Sequence, residues 1–253
     1  MASLSWRVAV TRDEDDQGPL SSALRDEGFY PLRCVVMEEA PSSEPAALEA
    51  AAANLDTFDW LICSSARTVS ALTGARTTAW PRAVRTAAVG ARTAEALVSA
   101  GADPAPLVGA SEGAEALWTA LSTIEWTHRR VLVPTVPGGR RMLIDGLRQA
   151  GAVVTEVEAY RMIPRPAAQI RLDWVAAAPD AAVISSPSTA SALIAGVGID
   201  ALATLSAIVA IGPTTAAALA AAGVPCQQAA RADFREAART LARLRDTAPP
   251  RAW

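Results

Sequence analysis

The chain carries one pattern twice, and any fold must accommodate both copies. Arg7-Val8-Ala9-Val10-Thr11-Arg12 reads as a short buried strand, followed by a polar turn and a helix through Leu20, Ala23 and Leu24 to Gly28. Its echo is Arg130-Val131-Leu132-Val133-Pro134-Thr135, then Pro137-Gly138-Gly139-Arg140 and a helix ending at Gly151. Residues 59–72 are echoed by 180–193, and residues 87–97 by 209–219. Gly28 and Gly151 are 123 positions apart, Asp59 and Asp180 are 121 apart, and Gly90 and Gly212 are 122 apart. Three matched units in one order, at a nearly constant offset, mark an internal duplication.

Each half alternates short apolar strands with helices, which predicts a parallel sheet covered on both faces. Gly28, Gly151, Gly101 and Gly223 stand where helices end, the place for a left-handed cap. A short fourth strand follows in each half, at 105–108 and 225–228, and then an amphipathic helix, at 111–121 and 234–244. Two long β-rich segments remain, 29–40 and 151–164. If 32–39 pairs with 155–163, the chain leaves one domain along the first segment and returns along the second. The predicted division is a discontinuous α/β domain of 1–34 plus 163–253 and a second α/β domain of 38–158. Residues 32–39 and 155–163 would form the hinge.

Composition narrows the function classes. Of 253 residues, 51% are hydrophobic and 19% charged, which describes a globular chain and not a disordered one. A net charge of −3 supplies no general electrostatic reason to bind nucleic acid. Cys34, Cys63 and Cys226 are scattered and His128 is the sole histidine, so neither a zinc site nor a disulfide framework is expected. A reducing, cytoplasmic setting and a monomer are expected. The first residues lack an apolar signal core. Residues 201–230 include a long uncharged run, but Gly212-Pro213-Thr214-Thr215 divides it into strand and helix, so no membrane span is expected.

The strongest local feature is a strand–glycine–threonine–helix turn, present at Gly90/Thr93 and at Gly212/Thr214/Thr215. Glycine lets a ligand approach the backbone, threonine can cap the helix, and the free N–H groups of a first turn attract anions. Ser64-Ser65 and Ser185-Ser186 offer a second pair of such helix starts. In an open α/β sheet these positions lie at the carboxyl ends of strands, where ligands bind. Plain helix capping explains any one turn equally well, but four in two domains favour an interdomain anion site. Gly138-Gly139-Arg140-Arg141 could contact a carboxylate or could be a turn with a solvated charge pair, and Arg12 at the end of the first strand faces the same choice. Asp13-Glu14-Asp15-Asp16 favours a helix N-terminus. Phosphate-loop, dinucleotide, zinc-protease and serine-hydrolase patterns are all missing, as is an acidic metal cluster. Tyr160, one of two tyrosines, is either a packing residue whose hydroxyl seeks a partner or, at a cleft wall, a proton donor.

Taken together, these stretches resemble the uroporphyrinogen-III synthase family along nearly the whole chain. They are Val10-Thr11-Arg12, Ser65-x-x-x-Val69, Val89-Gly90-x-x-Thr93-Ala94, Val131-Leu132-Val133 through Gly139-Arg140 to Gly151, Tyr160-Arg161, Ser185-Ser186-Pro187-Ser188, and Ile211-Gly212-Pro213-Thr214-Thr215-Ala216. Val136-Pro137 before Gly138 departs from the family's usual arginine near a glycine. The resemblance implies two flavodoxin-like parallel-sheet domains joined by a two-stranded antiparallel linker, with the active site in the cleft. It also implies a cofactor-free hydro-lyase of haem (tetrapyrrole, porphyrin) biosynthesis. Such an enzyme closes the octacarboxylate hydroxymethylbilane to uroporphyrinogen III, with inversion of ring D through a spiro intermediate and loss of water. Tyr160 is then the candidate proton donor to the leaving hydroxyl, and Ser65, Thr93, Ser186, Thr214 or Thr215, Arg12 and Arg140 are candidate carboxylate holders. A two-domain protein that binds a small anion without chemistry shares the hinge and the turns. A nucleotide-dependent α/β regulator is weakened by the missing phosphate loops.

Overall fold

The computed structural model describes residues 5–111, 113–139 and 141–247. In chain order the elements are β1 (Arg7–Val10), α1 (Pro19–Asp26), β2 (Tyr30–Arg33), β3 (Met37–Pro41), α2 (Pro45–Ala53), β4 (Trp60–Cys63), α3 (Ala66–Gly74), β5 (Arg85–Ala88), α4 (Ala91–Ser99), β6 (Leu107–Val108) and α5 (Ala114–Leu121). There follow β7 (Arg130–Thr135), α6 (Met142–Gln149), β8 (Val153–Glu158), β9 (Tyr160–Pro164), α7 (Ala167–Ala177), β10 (Ala181–Ile184), α8 (Pro187–Val197), α9 (Ile199–Ala203), β11 (Ala207–Ala210), α10 (Pro213–Ala221), β12 (Gln227–Gln228) and α11 (Phe234–Thr247).

Two five-stranded sheets form, β2-β1-β10-β11-β12 and β8-β7-β4-β5-β6. All their pairings are parallel. Matching repeat-related strands (β1 with β7, β2 with β8, β10 with β4, β11 with β5, β12 with β6) gives the same spatial order in both. The chain divides into two compact units, 1–38 with 163–253, and 39–162. Each unit therefore takes two strands from one copy of the repeat and three from the other. Counted by its own strands, the first sheet runs 2-1-3-4-5, the flavodoxin-like order, which reverses between β1 and β10. The corresponding point of the second sheet lies between β7 and β4.

Central strands are apolar throughout because both of their faces are covered. Along β4, Trp60 and Ile62 enter one core with Leu117, Trp126 and Leu147, while Leu61 and Cys63 enter the other with Leu72, Leu97 and Leu132. In the first unit, Val8, Val10, Val183 and Val209 meet Leu20 and Leu24 of α1 and Leu241 of α11. Pro134 has no N–H to donate, and the β4–β7 register ends before it, at Leu61↔Leu132. The repeated aspartates pin the amino ends of the strands. Asp59 accepts the Arg130 N–H at 2.8 Å, and Asp180 accepts the Arg7 N–H at 2.8 Å.

Gly28 and Gly151 close their helices at φ 78° and 93°, a region open to glycine at no steric cost. The next N–H in each case reaches back to the helix, Phe29 to Leu24 at 3.0 Å and Ala152 to Leu147 at 3.0 Å. Gly101 and Gly223 repeat the motif.

The two long extended segments each prove to be two strands. β2 lies beside β1, and β8 lies beside β7, as edges of the main sheets. Only β3 and β9 pair with each other, in a separate two-stranded antiparallel sheet. Residues 32–33 and 155–158 thus belong to the main sheets and not to the linker, because neighbouring strands there take up their backbone N–H and C=O groups. Among the described residues no helix is long and apolar enough to cross a membrane. The uncharged run resolves into β11 and α10.

Candidate active site

Four helices, α3, α4, α8 and α10, follow central strands, and all four have threonine as their third residue: Thr68, Thr93, Thr189 and Thr215. Two of these starts are self-satisfied. Ser65 accepts the Thr68 N–H at 3.2 Å, and the Thr68 hydroxyl donates to the Ser65 carbonyl at 2.7 Å. Ser186 accepts the Thr189 N–H at 3.1 Å, and the two hydroxyls lie 2.8 Å apart. Here the capping reading of the serines is what the geometry displays.

The other two starts are open. α4 and α10 begin after Gly90 and Gly212, with no side-chain cap. Thr93 and Thr215 do not cap these helices, contrary to expectation, because they sit at the third helical position and not before the first. They are 6% and 2% exposed, and among the described residues their hydroxyls have no hydrogen-bond partner. In α4 the Thr93 N–H turns back to the Gly90 carbonyl at 3.1 Å, and the N–H groups before it have no intrahelical partner, so an anion is favoured there. Thr214, one residue earlier, is exposed and corresponds to Arg92 of α4. The spacing Ser/Gly-x-x-Thr is shared by all four turns in the sequence.

The arginines are already engaged. Arg12 leaves the carboxyl end of β1 with its Nε 3.1 Å from Glu14 Oε2 and its guanidinium 4.5 Å from the Phe234 ring centroid. Glu14 in turn accepts the Ser21 N–H at 2.6 Å and the Ser21 hydroxyl at 2.8 Å, closing the start of α1 as its acidic run suggested. Arg141 takes both Glu156 oxygens at 3.1 Å, and Arg148 adds a contact at 2.8 Å. Hydrogen bonds from Arg141 and then Arg148 hold the Glu156 carboxyl below the usual carboxylate range. Of the two readings for the Gly-Gly-Arg-Arg turn, Arg141 adopts the charge pair. Arg140 lies outside the described residues.

Tyr160 opens β9 directly after β8, where Ala159 still donates its N–H to Thr135 at 2.9 Å. Its side chain is 8% exposed and its hydroxyl has no hydrogen-bond partner among the described residues. It lines a groove of about 310 Å³ with Pro45 and Leu48 of α2, Ala71 of α3 and Ala75 just after that helix. At 1.5 Å per residue, that wall lies roughly 9–15 Å along α3 from Ser65. Tyr160 and the self-capped serine are therefore not adjacent. Two acidic residues of the same groove, Glu39 and Glu49, escaped the sequence reading. Glu39 is 123 positions before Met162, so the repeat itself could have drawn attention to it.

The thiols are chemically quiet. Burial pushes Cys34 and Cys63 up to about 12. Among the described residues no group of three or more His, Cys, Asp or Glu could hold a metal ion.

Known proteins share the fold. The family model described as uroporphyrinogen-III synthase HemD matches residues 18–238. A uroporphyrinogen-III synthase of Synechococcus elongatus is 31% identical over 165 residues, which are 60% of this chain and 59% of that relative. The match thus spans less than two thirds of that relative's length. One of Proteus mirabilis is 28% identical over 159 residues, 62% of this chain and 80% of the relative. Among solved structures, uroporphyrinogen-III synthetase from Helicobacter pylori 26695 has a TM-score of 0.58 at 17% identity, covering 94% of this chain and 98% of that one. A mutant uroporphyrinogen III synthase from the extremely thermophilic bacterium Thermus thermophilus has a TM-score of 0.53 at 19% identity, covering 96% and 100%. At these identities the two structures speak for the fold. The matched residues 18–238 take in both open helix starts and Tyr160, and the chain belongs to the uroporphyrinogen-III synthase family.

Proposed function

We propose that this protein is a cofactor-free hydro-lyase that closes hydroxymethylbilane to uroporphyrinogen III, with ring D inverted and one water lost. The observation that carries this reading is Tyr160, a phenol more than nine-tenths buried whose hydroxyl has no partner among the described residues. The ring is packed, while the phenol oxygen stays accessible to a ligand. A substrate oxygen that must leave as water is a fitting occupant, and the phenol can supply its proton.

The substrate carries eight carboxylates. The open starts of α4 and α10, with Thr93 and Thr215, are the first candidates to receive them, and glycine at each cap leaves room for the approach. Gly90 and Gly212 have φ near −163°, extended backbone that any residue adopts, so it is their lack of a side chain that serves a ligand. Arg12 is a further candidate, because Glu14 keeps the Ser21 N–H and hydroxyl when Arg12 turns away. Thr214, exposed on the first turn of α10, and the helix starts at Ser65 and Ser186 complete the set. The chemistry asks mainly for folding of a linear chain and one assisted protonation. Holding reacting groups in place is worth roughly 7–11 kcal/mol in favourable intramolecular cases.

The test is to supply freshly prepared hydroxymethylbilane and analyse the porphyrinogen isomers. Type III product is expected. Type I alone, the product of spontaneous closure, would leave only an anion-binding role.

A further inference from the structure

Among the described residues, the only charged side chains that line the groove beside Tyr160 are acidic. Glu39 of β3 and Glu49 of α2 line it, together with proline, alanine, serine and leucine, and no arginine lines it among the described residues. Arg67, on the first turn of α3, reaches Glu39 with its Nε 3.5 Å from Oε2, and its Nη1 lies 3.9 Å from the Met162 sulfur. One guanidinium thus touches β3 and β9 and pairs with the Glu39 carboxylate at the surface. An octacarboxylate gains nothing by placing an acid arm against these two glutamates, because like charges repel at close range. Yet the hydroxyl that serves as the acid of the proposed reaction lies in the same groove.

One part of the substrate becomes positive. When the terminal C–O bond breaks, the oxygen takes the Tyr160 proton and leaves as water. The pyrrole nitrogen then supplies an electron pair to the exposed methylene carbon, which leaves an azafulvenium cation. We propose that Glu39 is the counter-charge for this cation: the groove receives the terminal pyrrole with its hydroxymethyl group inward and its two carboxylate arms outward. Glu39 takes no proton. A fixed charge aimed at the place where opposite charge develops stabilises the transition state more than the ground state. At closure, the ring carbon that forms the last bond loses its proton, and the tyrosinate regains one, so the sum is loss of a single water. The inference rests on the hydroxymethylbilane reading given above, and adds to it the groove's occupant and the role of Glu39.

Steady-state kinetics of the full-length protein on hydroxymethylbilane test it, with Glu39→Gln, Glu39→Asp and Arg67→Met beside the wild type. For Glu39→Gln, kcat is expected to fall at least about tenfold while KM stays level or drops, since removing a negative charge favours a polyanion. Glu39→Asp, which keeps the charge, is expected to recover part of kcat. Arg67→Met breaks the same ion pair but leaves the carboxylate, and is expected to fall less than Glu39→Gln. Either of two results overturns the role of Glu39: a kcat for Glu39→Gln within about twofold of wild type, or an equal loss in Arg67→Met. Absence of type III product from the wild type would instead overturn the underlying function, so the two failures are distinguishable.

Discussion

Tyr160 and Met37 occupy the same place in the two copies of the repeat, and each is 8% exposed, yet only one has a hydroxyl. Tyr160→Phe removes that single atom and leaves the packing. Turnover is expected to slow at least about tenfold, equivalent to about 1.4 kcal/mol of barrier, with KM little changed. The thermal midpoint is expected to hold, because the hydroxyl has no bond to lose among the described residues. Unchanged turnover would remove the tyrosine's catalytic role and leave the family assignment standing. Part of the candidate site was legible beforehand: Thr93 and both glycine turns stand out from their spacing, and Tyr160 as one of two tyrosines. What stayed hidden were the partners. Arg12 meets Glu14 only because the chain curls over the start of α1, and Arg141 meets Glu156 only because β8 lies beside the amino end of α6. Sequence distance encodes neither approach.

At the scale of elements, the duplicated aspartates show how a repeat preserves a joint. The Asp59 carboxyl is held below its ordinary range, first by the backbone N–H of Arg130 and then by the Arg129 guanidinium. A carboxyl that binds its proton less tightly when folded adds stability above about pH 4, the unfolded value, and loses it as pH falls through the folded one. Asp59→Asn is therefore expected to lower stability at pH 7 by roughly 1 kcal/mol, a modest figure because the side chain is 38% exposed and so screened by solvent. The gap in urea midpoint is expected to close below about pH 4; an equal gap at both pH values would refute the account. Strand and helix order was readable from apolar runs and closing glycines. The division of 29–40 and 151–164 into two strands each was not. β-forming residues run through both breaks, and what separates β2 from β3, and β8 from β9, is which neighbour takes the backbone hydrogen bonds.

The whole molecule follows the repeat in an interleaved way. Residues 39–162 contain all five strands of their sheet and both faces of its core. Expressed alone, that segment is expected to unfold cooperatively in a thermal or urea titration followed by circular dichroism. Residues 1–123, one full copy of the repeat, hold three strands of one sheet and two of the other, and are expected to show no such transition. A cooperative 1–123 fragment would mean that copies, and not units, are the folding entities. A single-length chain of this pattern would hold one strand for each of the five sheet positions. If its third strand carried the first two away from the last three, as here, it would complete its sheets by lending two strands to a twin and borrowing two in return. Its stability would rise and fall with its own concentration. Writing the pattern twice in one chain turns that exchange into an internal event, so that dilution no longer unfolds it.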